Sequence, residues 1–276
     1  MELTKTQWRL IKTPPARGAW NMAVDEAILE ATGQHLVPPT LRLYAWNPPC
    51  LSLGYGQPLS DVDLDVLPEH GWELVRRATG GRAILHTDEL TYSVTGPTDE
   101  PRLAGSVLES YQRLSKALLL TLEILSLPAE AQENPDVAPD ADPQGPVCFE
   151  VPSNYEITVD GKKLVGSAQA RRKVGVLQHG TLPLHGDLTR ITQALAFPSE
   201  EKRERAAERL LQRATTVEKV LNRIVLWEAA ADAMAQAFEQ TLNLDLVLDE
   251  LTPGELARAE ELVETRYANP EWKKIG

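Results

Sequence analysis

Three short stretches of this 276-residue chain combine residue types that can bind or transfer a chemical group. The first is Arg76 to His86, RRATGGRAILH. Gly80-Gly81 after a strand lets the backbone approach a ligand closely, and the neighbouring N–H groups then face an oxyanion or carbonyl. The spacing is that of neither a Walker loop nor a dinucleotide fingerprint, and a Gly-Gly pair is most often only a tight turn. Two arginines and a histidine around it make a site more plausible than the glycines alone. The second stretch is Lys162 to Ala168, KKLVGSA, followed across a basic turn by Leu177 to Thr181, LQHGT. A lysine directed from a strand into a glycine-lined pocket fixes a carbonyl oxygen or keeps a nearby nucleophile anionic. Lys162 and Lys163 point to opposite faces of a strand, so only one of them enters such a pocket, and alternation does not say which. The third is Cys148. A free cysteine is most often a small buried hydrophobe. This one leaves a polar loop beside Phe149 and precedes the hairpin that carries the lysine pair, an arrangement in which thiol and ammonium are expected to meet. A nearby cation favours the thiolate, and the thiolate is the nucleophile. Cys50, ahead of Leu51 and Leu53, reads as packing.

Other chemistries find little support. The five histidines, His35, His70, His86, His179 and His185, show no H-x-x-x-H or H-E-x-x-H spacing, so no metal site is expected. There is no G-x-S-x-G elbow, and Gly166-Ser167-Ala168 does not match one. Two cysteines are too few for a disulfide scaffold. The formal charge of −12 repels a phosphate backbone, which argues against nucleic-acid binding. Basic residues nevertheless cluster at Arg76, Arg77 and Arg82 and at Lys162, Lys163, Arg171, Arg172 and Lys173, where a local anion contact is expected. No apolar run approaches the ~20 residues of a membrane span, and the N-terminus lacks the plan of a secretion signal, so the expected compartment is the cytoplasm.

The elements that must position these residues are short and interleaved. Trp20 to Ala31 has apolar residues at helical spacing, and Thr40 to Trp46 alternates as a strand. Cys50–Gly54, Trp72–Arg76, Arg82–Leu85 and Thr91–Thr95 read as further strands. Ser106 and Glu109 form a capping box that opens a long amphipathic helix. Residues 128–146, rich in Pro, Asp, Ala, Glu and Gln, read as a long surface loop with Cys148 at its exit. Tyr155 to Val159 alternates up to Asp160-Gly161, a hairpin-turn pair, with the partner strand from about Lys163 and another over Val174–Leu184. From Asp187 the chain reads as mainly helical, and Thr252-Pro253-Gly254-Glu255 starts a last helix to about Arg266. Strands early and helices late predict an α+β fold, and with no linker-like stretch the expectation is a single domain over residues 1–276.

Taken together, these segments resemble the biotin/lipoate protein ligase superfamily. The match runs in order through Met22–Leu29 (MAVDEAIL), Arg76–Ser93, Lys163–Gln169 and Leu177–Thr181, with Tyr267 and Trp272 near the end. The resemblance implies a mixed, largely antiparallel sheet flanked by helices. Within the superfamily, Val147 to Ala168 (VCFEVPSNYEITVDGKKLVGSA) is similar to the cysteine-dependent octanoyltransferases of the LipM type. The resemblance implies that Cys148 carries the acyl group as a thioester and that Lys163 lowers its pKa, which chooses between the two lysines. It further implies a substrate pocket from Arg77, Thr79, Gly80, Gly81, Arg82, His86, Gly166, Ser167, Ala168, His179 and Gly180. Octanoyl-acyl carrier protein is the implied donor, and a lipoyl-domain lysine on the glycine-cleavage H protein or a dehydrogenase E2 subunit the implied acceptor, with no cofactor. ATP-dependent lipoate ligases share the glycine and lysine motifs, but commonly have a third glycine where this chain has Arg82. They and lipoyl amidotransferases are the alternative readings.

Overall fold

The computed structural model describes residues 3–133 and 155–275. In chain order the elements are β1 (Thr6–Lys12), α1 (Gly18–Gly33), β2 (Thr40–Tyr44), β3 (Cys50–Leu53), α2 (Val66–Glu69), β4 (Glu73–Arg76), β5 (Ile84–His86), β6 (Glu89–Gly96), α3 (Val107–Ile124), β7 (Glu130–Glu133), β8 (Tyr155–Val159), β9 (Lys162–Arg172), β10 (Gly175–Pro183), α4 (Glu200–Arg213), α5 (Val217–Leu221), α6 (Trp227–Leu242), β11 (Leu244–Leu248), α7 (Pro253–Leu262) and α8 (Pro270–Lys273). The larger sheet has the order β11-β1-β2-β6-β10-β9-β8-β7, and a smaller one the order β4-β3-β5. In the larger sheet, β1 pairs in parallel with β2 and β11, and the remaining pairs are antiparallel. The expected α+β, largely antiparallel architecture is what forms.

Strand alternation gives the larger sheet two unlike faces. One carries Trp8, Leu10, Leu41, Leu43, Leu90, Tyr92 and Val94, packed with Leu114, Leu118, Met234 and Phe238 of α3 and α6 in one apolar core. The other carries polar residues at the paired positions Arg42, Ser93 and His179 and is covered by α1. A polar face beneath a buried helix costs desolvation unless its groups bond one another, and that requirement shapes the site. In the smaller sheet, Leu51 and Leu53 face a separate apolar cluster with Leu67, Leu195 and Leu210. Cys50 and Val75 face the α1 side.

The turn chemistry read from the sequence holds. Asp160 and Gly161 both have positive φ, 50° and 72°, as a tight two-residue hairpin turn demands. Ser106 Oγ accepts from the Glu109 amide at 3.2 Å, and Glu109 accepts from the Ser106 amide at 2.7 Å. Two elements depart from expectation. Glu130–Glu133 lies inside the expected loop yet is a strand, because pairing with β8 supplies its ladder partners; an edge strand such as EAQE needs no apolar period. β11 interrupts the helical C-terminal region by pairing with β1 through a mostly exposed segment. The remainder of the 128–146 loop, with Cys148, lies outside the described residues.

Candidate active site

Met22 of α1, Tyr44 and Trp46 at the end of β2, Ser52 of β3 and residues 166–168 and 179–181 of β9 and β10 surround a cavity of about 460 Å³, with Arg77, Gly81, Ile84, His86 and Thr91 completing the wall. That volume includes space out to open solvent; the part of it that the centre of a water molecule can occupy is about 50 Å³. The glycine loop reaches this wall because it packs on the end of β3. A Cβ on Gly54 would lie 1.8 Å from the Gly81 carbonyl oxygen, and Gly81 itself has φ +95°. Arg77 holds the loop from within, donating to the carbonyls of Ser52, Gly80 and Arg82 at 3.0, 2.9 and 2.8 Å.

Two buried carboxylates organise the polar wall. Asn21 and Asp25 sit one turn apart on α1. Asp25 accepts from Arg42 at 2.7 Å, from Ser93 at 2.8 Å and from Tyr44 at 2.9 Å. Asn21 takes two further donations from Arg42, at its carbonyl and side-chain oxygens. The Asp25 carboxyl stays below the usual range: burial pushes it up, but the Arg42 guanidinium and His179 pull it down further. His179 Nδ1 lies 3.6 Å from Asp25, and its Nε2 bonds Thr79 Oγ1 at 2.6 Å. Burial, with Arg77 and His86 nearby, depresses the His179 pKa against the raising effect of Asp25, so its imidazole is neutral near pH 7. The second carboxylate, Glu89, is 2.7 Å from His86 Nδ1 and accepts from Thr91 at 2.6 Å. Burial raises its carboxyl, and His86 with the neighbouring hydroxyls lowers it below the usual value.

Lys163 reaches its place through a β-bulge. Ile157 pairs with Val165 but Thr158 with Lys163, so one residue of β9 is extra. Strict alternation from Gly166 and Ala168, which line the cavity, would put Lys162 on their face. With the bulge, Leu164 and Val165 both enter the α3/α6 core. Lys163 turns to the other side, 2.9 Å from Glu156 and nearly buried. It stands three residues along β9 from Gly166, roughly 10 Å at the rise of a strand. Lys162 reaches out to the Leu211 carbonyl of α4.

Of the expected pocket residues, Arg77, Gly81, His86, Gly166, Ser167, Ala168, His179 and Gly180 line the cavity. Thr79 stands behind His179 as its hydrogen-bond partner. Gly80 is exposed, with open space where a side chain would begin, and contributes a carbonyl to Arg77 rather than a wall. Arg82 likewise offers its carbonyl to Arg77. Arg76 is fully buried and ties the carbonyls of Gly54, Tyr55, Gln57 and Lys273 together, so it is a strut of the fold. Cys50 is buried, and burial pushes its thiol far up, as packing requires. Asp25, Tyr44, Trp46, Ser52 and Glu89 were missed. The available signal was the pair Asp25-Glu26 inside an otherwise apolar helix, since a carboxylate in such a run has to be paired. No group of three or more His, Cys, Asp or Glu side chains able to hold a metal occurs among the described residues. No described helix is long and apolar enough to cross a membrane.

This fold, with a glycine loop at a cavity and a buried strand lysine farther along β9, belongs to acyl-handling enzymes acting on lipoyl proteins: residues 17–239 match the lipoyl protein ligase A/B catalytic domain, and the chain is a member of that family. Over nearly its whole length it is 42% identical to octanoyltransferase LipM of Brevibacillus brevis, covering 96% of this chain and 98% of the relative. It is 36% identical to octanoyltransferase LipM of Bacillus subtilis, covering 98% and 99%. The bi-partite lipoate protein ligase of Thermoplasma acidophilum, studied with its E2 lipoyl domain, superposes with a TM-score of 0.80 at 27% identity, covering 98% of this chain and 96% of that one.

Proposed function

We propose that this chain is an octanoyltransferase of lipoate biosynthesis, in which Cys148 takes octanoyl from octanoyl-acyl carrier protein as a thioester and passes it to a specific lysine of a lipoyl domain. The observation that carries the reading is the placement of Lys163. The bulge supports it by putting a nearly buried Lys163, ion-paired with Glu156, on the β9 face that Gly166 and Ala168 share, three residues from the stretch that lines the cavity and on the strand that follows the Cys148 segment. A cation there stabilises a thiolate and polarises a thioester carbonyl.

The chemistry runs without an energy source. In the first step the Cys148 sulfur forms a bond to the octanoyl carbon, the carrier's C–S bond breaks, and the carrier thiolate takes up a proton. One thioester replaces another at little free-energy cost. In the second, the neutral lysine amine attacks the Cys148 thioester, the C–N bond forms, the acyl C–S bond breaks, and the amine proton passes to the leaving sulfur, restoring the thiol. Thioester to amide is strongly downhill. The glycine loop, Arg77, His86, Ser167, Ala168 and His179 hold the chain and its carbonyl. The glycine-cleavage H protein and dehydrogenase E2 subunits are the acceptors, and the cytoplasm is the compartment. Docking of these acidic partners falls to exposed cations such as Lys173, since Arg76, Arg77 and Lys163 are buried.

The test is intact mass. Incubation with octanoyl-carrier protein in the absence of ATP, followed by denaturation, is expected to show one octanoyl adduct on Cys148 that neutral hydroxylamine removes. Transfer that requires Mg-ATP and free acid, and that survives Cys148→Ala, would replace this reading with that of an ATP-dependent lipoate ligase. A requirement for an octanoylated or lipoylated protein domain as donor would replace it with an amidotransferase.

A further inference from the structure

We propose that Ser52, His86 and Glu89 form a second acyl-accepting unit in the cavity wall, which takes a medium-chain acyl group from an ester or thioester onto the Ser52 oxygen independently of Cys148. Ser52 Oγ lies 2.7 Å from His86 Nε2, and His86 Nδ1 lies 2.7 Å from Glu89 Oε1. Nucleophile, base and orienting carboxylate therefore meet in the order and at the separations that activate a serine. Such a unit is recognised by geometry and not by a sequence elbow, and this chain has no G-x-S-x-G.

The surroundings fix the roles. Ser52 and His86 both line the cavity, and all three side chains are buried. The strand register explains why they meet: Cys50 pairs with His86 and Ser52 with Ile84, so Ser52 and His86 share one face of the smaller sheet, two residues apart on the diagonal. The imidazole is stacked on Trp46 at 3.9 Å and 10°, which locks its plane. A carboxylate at Nδ1 places the ring proton there and leaves Nε2 as the acceptor for the serine proton. Arg77 donates to Ser52 Oγ at 3.2 Å. Its guanidinium is oriented by three backbone carbonyls and holds fixed positive charge beside the Ser52 oxygen.

In the step proposed, the Ser52 oxygen bonds to the acyl carbon while His86 Nε2 takes the hydroxyl proton. The thiolate or alkoxide leaves with that proton, and O-acyl-Ser52 remains. Water, deprotonated by the same imidazole, then releases the carboxylic acid and restores Ser52. The net reaction is hydrolysis of an acyl donor. The choice of an eight-carbon acyl group rests on the octanoyltransferase reading, but the two proposals fail separately, because neutral hydroxylamine cleaves a Cys148 thioester and spares a serine oxygen ester.

The test uses the Cys148→Ala chain, which removes the thiol and leaves the wall intact. Treated with an octyl fluorophosphonate, it is expected to gain one covalent phosphonyl group, mapped by peptide mass to Ser52. It is also expected to hydrolyse 4-nitrophenyl octanoate ~100-fold faster than buffer, the scale of general-base assistance. Cys148→Ala with Ser52→Ala, and Cys148→Ala with Glu89→Gln, should each lose both signals. An unlabelled Ser52 in Cys148→Ala protein with an unchanged Tm, or labelling at any other residue, overturns the proposal. A serine adduct together with no hydroxylamine-labile adduct in the unaltered chain would uphold it and overturn the Cys148 reading alone.

Discussion

Replacing Asp25 with asparagine keeps the side chain's size and removes its charge, which isolates the electrostatic role of the carboxylate beneath α1. Arg42 is fully buried, and its remaining acceptors, Asn21 and Thr13, are neutral. Breaking a buried ion pair from one side typically costs about 3–5 kcal/mol, because the surviving charge keeps its desolvation penalty without its partner. The asparagine amide also turns a donor toward Tyr44 or Ser93, both of which now donate to Asp25. In a domain whose net stability is about 5–15 kcal/mol this is a large fraction, and a fall in Tm of roughly 10 °C is expected for a chain of this size. Removing the second charge as well, in Asp25→Asn with Arg42→Met, should restore about 2 kcal/mol, since a neutral interior no longer strands a guanidinium. Urea denaturation of the two single variants and the double variant provides the cycle. If Asp25→Asn costs less than about 1 kcal/mol, or if the double variant equals the sum of the singles, the argument for a charge-driven α1–sheet contact is wrong.

Two further outcomes follow from the same geometry. Lys163→Ala should slow octanoyl adduct formation about 30-fold at pH 7, the ratio between a fully ionised thiol and one with an ordinary pKa of about 8.5, and the deficit should nearly vanish, to about 1.3-fold, at pH 9. Single-turnover mass spectrometry across pH checks this, and a deficit that does not change with pH refutes the role given to the ammonium. Burial holds the His179 pKa below its unfolded value, so the folded chain binds fewer protons there than the unfolded one. The stability this provides is complete above about pH 6.5 and is lost as pH falls through the depressed folded pKa. His179→Gln should therefore flatten the decline of Tm between pH 7 and pH 5; an unaltered slope would assign acid sensitivity to other groups.

The local signals in the sequence transferred well to the structure wherever a single element decides them. The Ser106–Glu109 capping box, the Asp160-Gly161 turn, the glycine loop after β4 and the packing role of Cys50 each depend on residues adjacent in the chain or on one apolar alternation, and each is found as expected. The edge strand β7 escaped because its partner β8 supplies the hydrogen bonds and no apolar period is needed, whereas β11 (LDLVL) does alternate and was overlooked within a region read as helical. The basic clusters were only partly legible: composition shows charge, while burial of Arg76 and Arg77 shows that their charge is spent on backbone carbonyls.

The sequence by itself determined the α+β order of elements, the kinds of group available for acyl chemistry and the segments that carry them. The resemblance chose Lys163 over Lys162, but only tertiary structure gives the physical reason: one extra residue opposite β8 reverses the alternation of β9, so Lys163 pairs with Glu156 while Lys162 reaches out to α4. Tertiary structure also decided that Asp25 meets Arg42 and His179, and that Glu89 meets His86 and Ser52. The physical reason is the same throughout: residue type and spacing specify a face, but pairing between strands far apart in the chain specifies which faces meet, and only a closed interior makes an unpaired charge too costly to keep.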